Sequence, residues 1–173
     1  MSIAKFNKWQ SVDGVTRNAV LQVVSKEVTT ETSTTSESFV DATDMFLAIT
    51  PTSATSKILI NFNFQIIALR STTSAALVAY RLLRGTEVIF DPTMNNGVGN
   101  YVVGIGVGGA TSTNCRGSQT MQLLDDPATT NEITYKMQVC VYDSASGGSL
   151  RVNETGATSG NAISVITLME IAQ

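Results

Sequence analysis

Enzymatic chemistry needs side chains that hold protons, electrons or metals in place, and this chain of 173 residues contains no histidine. Its absence removes the commonest general base, the Ser-His-Asp and Cys-His nucleophile arrangements, and the usual nitrogen ligands of zinc. Glycoside hydrolysis needs only two carboxylates, so the acids form a separate case. Asp125-Asp126 is the only adjacent acidic pair, and it stands before Pro127 at the end of a predicted strand. Neighbours on a strand point to opposite faces, so the pair is expected to cap a turn rather than share a substrate. The remaining acids are scattered, without the Asp-x-Asp-x-Asp-Gly spacing of a calcium loop. Gly104-Ile105-Gly106-Val107-Gly108-Gly109 matches G-x-G-x-x-G in form, but no amphipathic helix follows to hold a pyrophosphate. Asn153-Glu154-Thr155 matches the glycosylation sequon, which carries no meaning without secretion. No catalytic, cofactor or metal residue is assigned, and a non-enzymatic protein is expected.

Surface recognition is what these residue types leave open. The segments Asn95 to Gly117 and Asp143 to Asn161 are rich in Gly, Ser, Asn and Thr. Within them Asn95, Asn96, Tyr101, Arg116, Arg151 and Asn153 could contact a glycan or a protein, and ordinary polar loops have the same composition. Phe6 and Trp9 are two aromatics in a short N-terminal stretch. They could anchor in a pocket of another subunit, or fold back on their own domain.

These residues need a scaffold, and the pattern of the chain is that of strands. Ile58, Ile60, Phe62, Phe64 and Ile66 alternate with Lys57, Asn61, Asn63 and Gln65, the period of a strand with one buried face. Ile133, Tyr135, Met137, Val139 and Val141 repeat it. A last strand over Ala162 to Ala172 is expected to bury Ile163, Val165, Met169 and Ile171, with Thr167 among them. Val20 to Val28, Tyr101 to Val107 and Thr120 to Leu124 read as further strands, and Phe39 to Thr50 as two short ones. Leu77 to Leu83 and Glu87 to Phe90 flank a hairpin turn at Arg84-Gly85-Thr86. Residues 1–18 lie before the first of these strands, and Thr29 to Ser38 is a Ser/Thr/Glu stretch able to form an extended edge strand. Asn95 to Gly117 reads as a long loop or a pair of irregular strands. Many short strands between turn residues predict an all-β fold, an antiparallel β-sandwich or jelly roll, with a short arm at 1–18 and one domain at 19–173.

Composition sets the class of partner. Hydrophobic residues make up 43% and charged residues 14%, which is too apolar for a disordered chain and leaves a surface polar but sparsely charged. Such a surface suits permanent packing against other subunits, where burying a charge is costly. The net charge is −3 and the Lys and Arg are scattered singly, so no nucleic-acid partner is expected. No apolar run approaches the roughly 20 residues that span a bilayer, so no membrane insertion is expected. Met1 to Gln10 lacks the apolar stretch of a signal peptide, and Cys115 and Cys140 could pair with each other but are expected to stay reduced in a cytoplasm.

Several phrases resemble a known family. Val20-Leu21-Gln22-Val23-Val24-Ser25, Phe39-Val40-Asp41 after the Ser/Thr-rich stretch, and Ile49-Thr50-Pro51-Thr52-Ser53-Ala54-Thr55-Ser56-Lys57-Ile58-Leu59-Ile60 occur in order. Arg81-Leu82-Leu83-Arg84-Gly85, Asp126-Pro127-Ala128-Thr129-Thr130 and Ile166-Thr167-Leu168-Met169-Glu170-Ile171 follow. Together they resemble a tail-fibre or virion-fibre knob domain of marine and cyanobacterial bacteriophages, over residues 19–173. The phrase at 49–60 and the terminal Met-Glu-Ile are the most specific parts.

The resemblance implies a virion structural protein, made in the host cytoplasm, with a trimeric jelly-roll architecture akin to tumour-necrosis-factor-like domains. It implies contacts with other virion proteins of tail, collar or capsid, and with a host-surface glycan or protein. Long fibres carry a shaft before such a domain, whereas 18 residues precede it here. The expected object is therefore a short appendage or knob anchored through Phe6 and Trp9. Capsid decoration, stabilising the shell without host contact, is the alternative. A glycan-degrading enzyme is disfavoured by the lack of paired carboxylates.

Overall fold

The computed structural model describes residues 8–10, 16–70, 76–91, 103–105, 113–141, 148–156 and 160–173. In chain order the strands are β1 (Lys8–Gln10), β2 (Thr16–Asn18), β3 (Val20–Val28), β4 (Thr32–Thr34) and β5 (Val40–Ile49). Then come β6 (Lys57–Arg70), β7 (Ala76–Arg84), β8 (Glu87–Phe90), β9 (Val103–Ile105) and β10 (Thr113–Asp125). The last are β11 (Ile133–Val141), β12 (Ser149–Val152), β13 (Thr155–Gly156), β14 (Gly160–Asn161) and β15 (Ser164–Ile171). All pairings are antiparallel, and the fold is the expected all-β sandwich of two main sheets.

The first sheet is organised by β6, whose 14 residues make it the longest strand. Along one edge it pairs with β10 from Ile58 to Arg70. The other edge is shared: β15 takes Lys57 to Asn63 and β12 takes Ile66 to Leu69. Beyond them lie β3, on β15, and β4, on β12. The second sheet runs β5-β11-β7, with β8 and β9 on the far edge of β7.

The alternation in β6 produces this arrangement directly. Ile58, Ile60, Phe62, Phe64 and Ile66 are all buried, while Asn63 and Gln65 are exposed. They pack with Met121, Leu150, Ile166 and Leu168 of the same sheet against Met45, Leu82, Tyr135, Met137 and Val139 of the other. Phe64 meets Tyr80 edge-on across the core at 5.0 Å between ring centroids. Each fully buried side chain of this size contributes about 1.5–3 kcal/mol. The hairpin turn falls where expected, with Gly85 at φ 59° between β7 and β8 and its N–H donating to Thr134 O at 2.8 Å.

Several expectations change. The stretch 1–18 does contain strands: β1 and β2 pair with each other and, among the described residues, with nothing else. Phe39 to Thr50 is one strand, not two. It steps irregularly, since Lys136 pairs with Phe46 but Gln138 with Asp41, and Asp44 takes φ 59° inside the step. Lys26 Nζ donates to Asp44 O, Thr30 Oγ1 donates to the Asp44 carboxylate, and Thr43 N–H donates to Thr32 Oγ1. The Ser/Thr stretch thus supplies an edge strand, β4, that braces the step. Asn95 to Gly117 holds β9 and the start of β10, in line with its reading as a pair of irregular strands, while Asp143 to Asn161, read as a polar loop, includes β12, β13 and β14. β12 alternates, with Leu150 and Val152 buried and Ser149 and Arg151 only partly so, whereas β9, β13 and β14 are too short to show a period and are strands through their hydrogen-bond partners.

The last strand is turned over relative to expectation. Ser164, Ile166, Leu168 and Glu170 face inward with no more than trace exposure, whereas Ile163 and Val165 are 50% and 37% exposed. A buried carboxylate is what makes the reversal possible. Glu170 Oε1 accepts from Thr52 N and Thr52 Oγ1, both at 2.8 Å, and from Ser53 N at 3.3 Å. Its Oε2 accepts from Gln22 Nε2 at 2.7 Å, and Ser56 also donates to it. Burial alone would push this pKa up, but the bonds from Ser56, Gln22 and Thr52 outweigh burial and hold it below the usual glutamate value. The two most specific phrases of the sequence, 49–60 and Met169-Glu170-Ile171, are therefore the two halves of one buried network.

Candidate interaction surface

Two of the candidate recognition residues converge at one end of the first sheet. Arg116 on β10 and Arg151 on β12 are both register partners of Ile67 on β6, one on each side of it. They sit on strands rather than in loops. Glu154 joins them: Arg151 Nη1 donates to Oε1 at 2.6 Å, and Arg116 Nη1 forms an ion pair with Oε2 at 2.6 Å. Arg151 also lies 3.9 Å from Glu31. The Glu154 side chain is 10% exposed, against 47% for Arg116 and 40% for Arg151, so the arginines cover the acid. Phe6, Asn95, Asn96 and Tyr101 lie outside the described residues. Trp9 belongs to β1, in register with Arg17.

Asn153 is not a receptor-facing residue. It has no exposed surface, and its φ of 55° is a left-handed conformation that Asn tolerates better than most residues. Its side-chain oxygen accepts a short hydrogen bond from Ser164 Oγ, and its Nδ2 donates to Thr30 O at 3.3 Å. The turn it makes swings Glu154 back towards Arg151. Asn153→Ala should lose about 2–4 kcal/mol, from the left-handed backbone and the stranded Ser164 hydroxyl. Urea unfolding of the variant beside the wild type measures this.

The acidic pair is also recast. Asp125 does not cap a turn; it ties the two sheets together. Arg84 Nη1 of β7 donates to both its oxygens, at 3.1 and 3.0 Å, and Tyr135 Oη of β11 donates to Oδ2 at 2.7 Å. Arg84 Nη2 also binds Glu87 at 2.6 Å and its Nη1 donates to Asp126 O at 3.2 Å. Both nearby carboxylates are thus occupied by one guanidinium. Among the described residues no group of three His, Cys, Asp or Glu could hold a metal ion. Cys140 is buried and unpaired, its thiol pushed up to about 11 by burial, and Cys115 is in register with Ala68 on the other sheet.

The two outer faces of the sandwich differ in charge. On the second sheet Asp41, Gln138 and Arg81 form one cross-strand row. Lys136 and Gln138 both donate to Asp41, which lowers its pKa. Arg81 lies over the Phe39 ring at 4.3 Å, and Lys26 over Phe46 at 4.2 Å. The outer face of the first sheet is built otherwise. One row across it is Val23, Met169, Leu59 and Leu124, and the next is Ser25, Thr167, Asn61 and Gln122. Among the described residues, between Lys57 at one end and the Arg116–Glu154–Arg151 group at the other, only Glu27 at the β3 edge is charged.

No protein-family model matches the chain, and no curated protein does. Sequence reasoning missed Glu154, Glu170 and the apolar row. The row draws one residue from each of four distant strands, so only register assembles it.

Proposed function

We propose that the chain is a non-enzymatic structural subunit of a bacteriophage particle, a short fibre or knob. Residues 1–18 attach it to the tail, collar or capsid, and the sandwich associates as a homotrimer and contributes to host-surface adhesion. The observation that carries this reading is that, among the described residues, β1 and β2 form a sheet of their own. They pair with each other while the sandwich ladder begins at Val20, and Ala19 O already accepts from Ala172 N at 2.9 Å. A lone two-stranded pair is marginal in water, so this piece gains its stability from another surface. We read the sandwich as a jelly roll, since the chain passes between the sheets from β4 to β5, β5 to β6, β6 to β7, β9 to β10, β10 to β11 and β11 to β12. Several copies on one particle would give weak host contacts high avidity.

The chain cut after Asn18 should fold with unchanged stability and fail to join particles. Circular dichroism and immunoblots of purified particles read these two results, and normal incorporation would sink the anchor. Binding of the isolated protein to whole cells, competed by soluble surface glycans, tests adhesion.

Capsid decoration is the second reading, and the Arg116–Glu154–Arg151 group favours it. Both arginines are already matched by acids, which leaves this end of the sheet poorly suited to grip an anionic host ligand. Imaging separates the two: many copies at symmetric capsid positions mark decoration, a few at tail or vertices mark adhesion.

A further inference from the structure

We infer that the outer face of the first sheet is the seat of a second copy of this chain; the inference rests on the self-association proposed above and assigns it a surface. Val23 and Leu124 are 54% and 52% exposed, and register places them at the two ends of one row with Met169 and Leu59 between. Single exposed apolar side chains are ordinary, but a contiguous row across four strands marks a contact surface. The neighbouring row, from Ser25 to Gln122, is polar and uncharged, so covering it desolvates no ion.

Charge also selects the occupant. Copies of a chain with net charge −3 repel one another, so a self-contact is favourable only where the charges are absent. The second sheet presents Asp41, Lys136 and Arg81 in an ion-paired network, which is a face built for water. The first sheet presents the neutral alternative, with the arginine group and Lys57 at its ends as a polar rim. The size fits too. Four strands abreast span about 19 Å and the pairing of β6 with β10 runs about 43 Å, so the face offers up to about 800 Å², the share each partner gives a standard interface.

The test is the mass of the full chain in solution by light scattering at micromolar concentration. The wild type should run as a multiple of the chain mass. Val23→Lys with Leu124→Lys should run as a folded monomer, its dissociation constant raised about a hundredfold or more by the burial of unpaired charges in the contact. Phe46→Lys, on the other sheet, should leave the mass unchanged. As a second readout, Gln122→Cys in a Cys115→Ser background should react with a thiol reagent more slowly at high than at low protein concentration, because association covers the site, and this holds even if the lysine variant unfolds. A monomeric wild type, an undiminished mass in the lysine variant, dissociation by Phe46→Lys alone, or reactivity of the Gln122→Cys variant independent of protein concentration would each overturn the assignment. A monomeric wild type whose lysine variant fails to enter particles would place a different virion protein on the face. Particle incorporation of the chain cut after Asn18 is a separate result, so the virion reading and the face can fail independently.

Discussion

Glu170→Ala should lower the stability of the protein by on the order of 3–5 kcal/mol, the usual loss when one member of a buried charged network is removed. The carboxylate has no exposed surface and satisfies Gln22, Thr52, Ser53 and Ser56 at once. Without it these donors face each other in a site closed to water, at about 1–3 kcal/mol for each group left unpaired. For a chain of this size the melting temperature should fall by about 10 °C or more. Acid should act in the same direction. The pKa of Glu170 is lowered in the folded state, so its contribution is complete above the unfolded glutamate value of about 4.3 and fades as pH falls through the folded value. Glu170→Gln should recover part of the loss and abolish this acid dependence. Urea unfolding between about pH 5 and about pH 2 checks both. Equal slopes for wild type and Glu170→Gln over that window would show that the carboxylate does not govern acid stability.

Asp125→Ala should have the second largest effect, about 3–4 kcal/mol, because it strips partners from two residues of the opposite sheet. Tyr135 is fully buried and its hydroxyl donates to Asp125, while Arg84 grips both carboxylate oxygens with its side chain 21% exposed. Tyr135→Phe should cost less, about 1–2 kcal/mol, since the ring stays and Asp125 keeps Arg84. The double variant should cost less than the sum, because the hydroxyl stranded by the first change is gone in the second. Alkali gives an independent check. Burial first, and then the hydrogen bond and charge of Asp125, push the tyrosine pKa far up. Tyr135 therefore stabilises the fold fully below about pH 10 and loses its contribution as the unfolded chain ionises above it. Tyr135→Phe should lose less stability than the wild type above that pH.

Both sites show where a sequence conveys a structure and where it does not. Ile58 to Ile66 and Ile133 to Val141 were readable because each has one apolar and one polar face, so a single arrangement buries the apolar one. Gly85 was readable because its turn needs a positive φ. The strand 164–171 carries apolar residues on both faces, and the charge on Glu170 points the eye to the wrong one. Asp125 looked like a turn residue because its partners, Arg84 and Tyr135, come from the other sheet. Among the recognition candidates, Arg116 and Arg151 were visible as isolated cations; Glu154 stands three residues after Arg151, but its pairing with Arg116 and the shared neighbour Ile67 follow from strand register alone. Asn153 looked like a loop residue because a buried Asn has no local signature apart from its neighbours.

The sequence by itself determined the all-β class, the inward faces of its most regular strands and the absence of histidine chemistry. Those features follow from side-chain type and a period of two, which are local. Tertiary structure alone decided which face of the last strand is buried, which polar segments become strands, and that four strands distant in the chain align one apolar row on a sparsely charged face. Each depends on partners from far along the chain. A carboxylate stays buried only where another loop brings donors to it, as Thr52 does from 118 residues away. A polar segment is a strand only where a neighbour completes its hydrogen bonds.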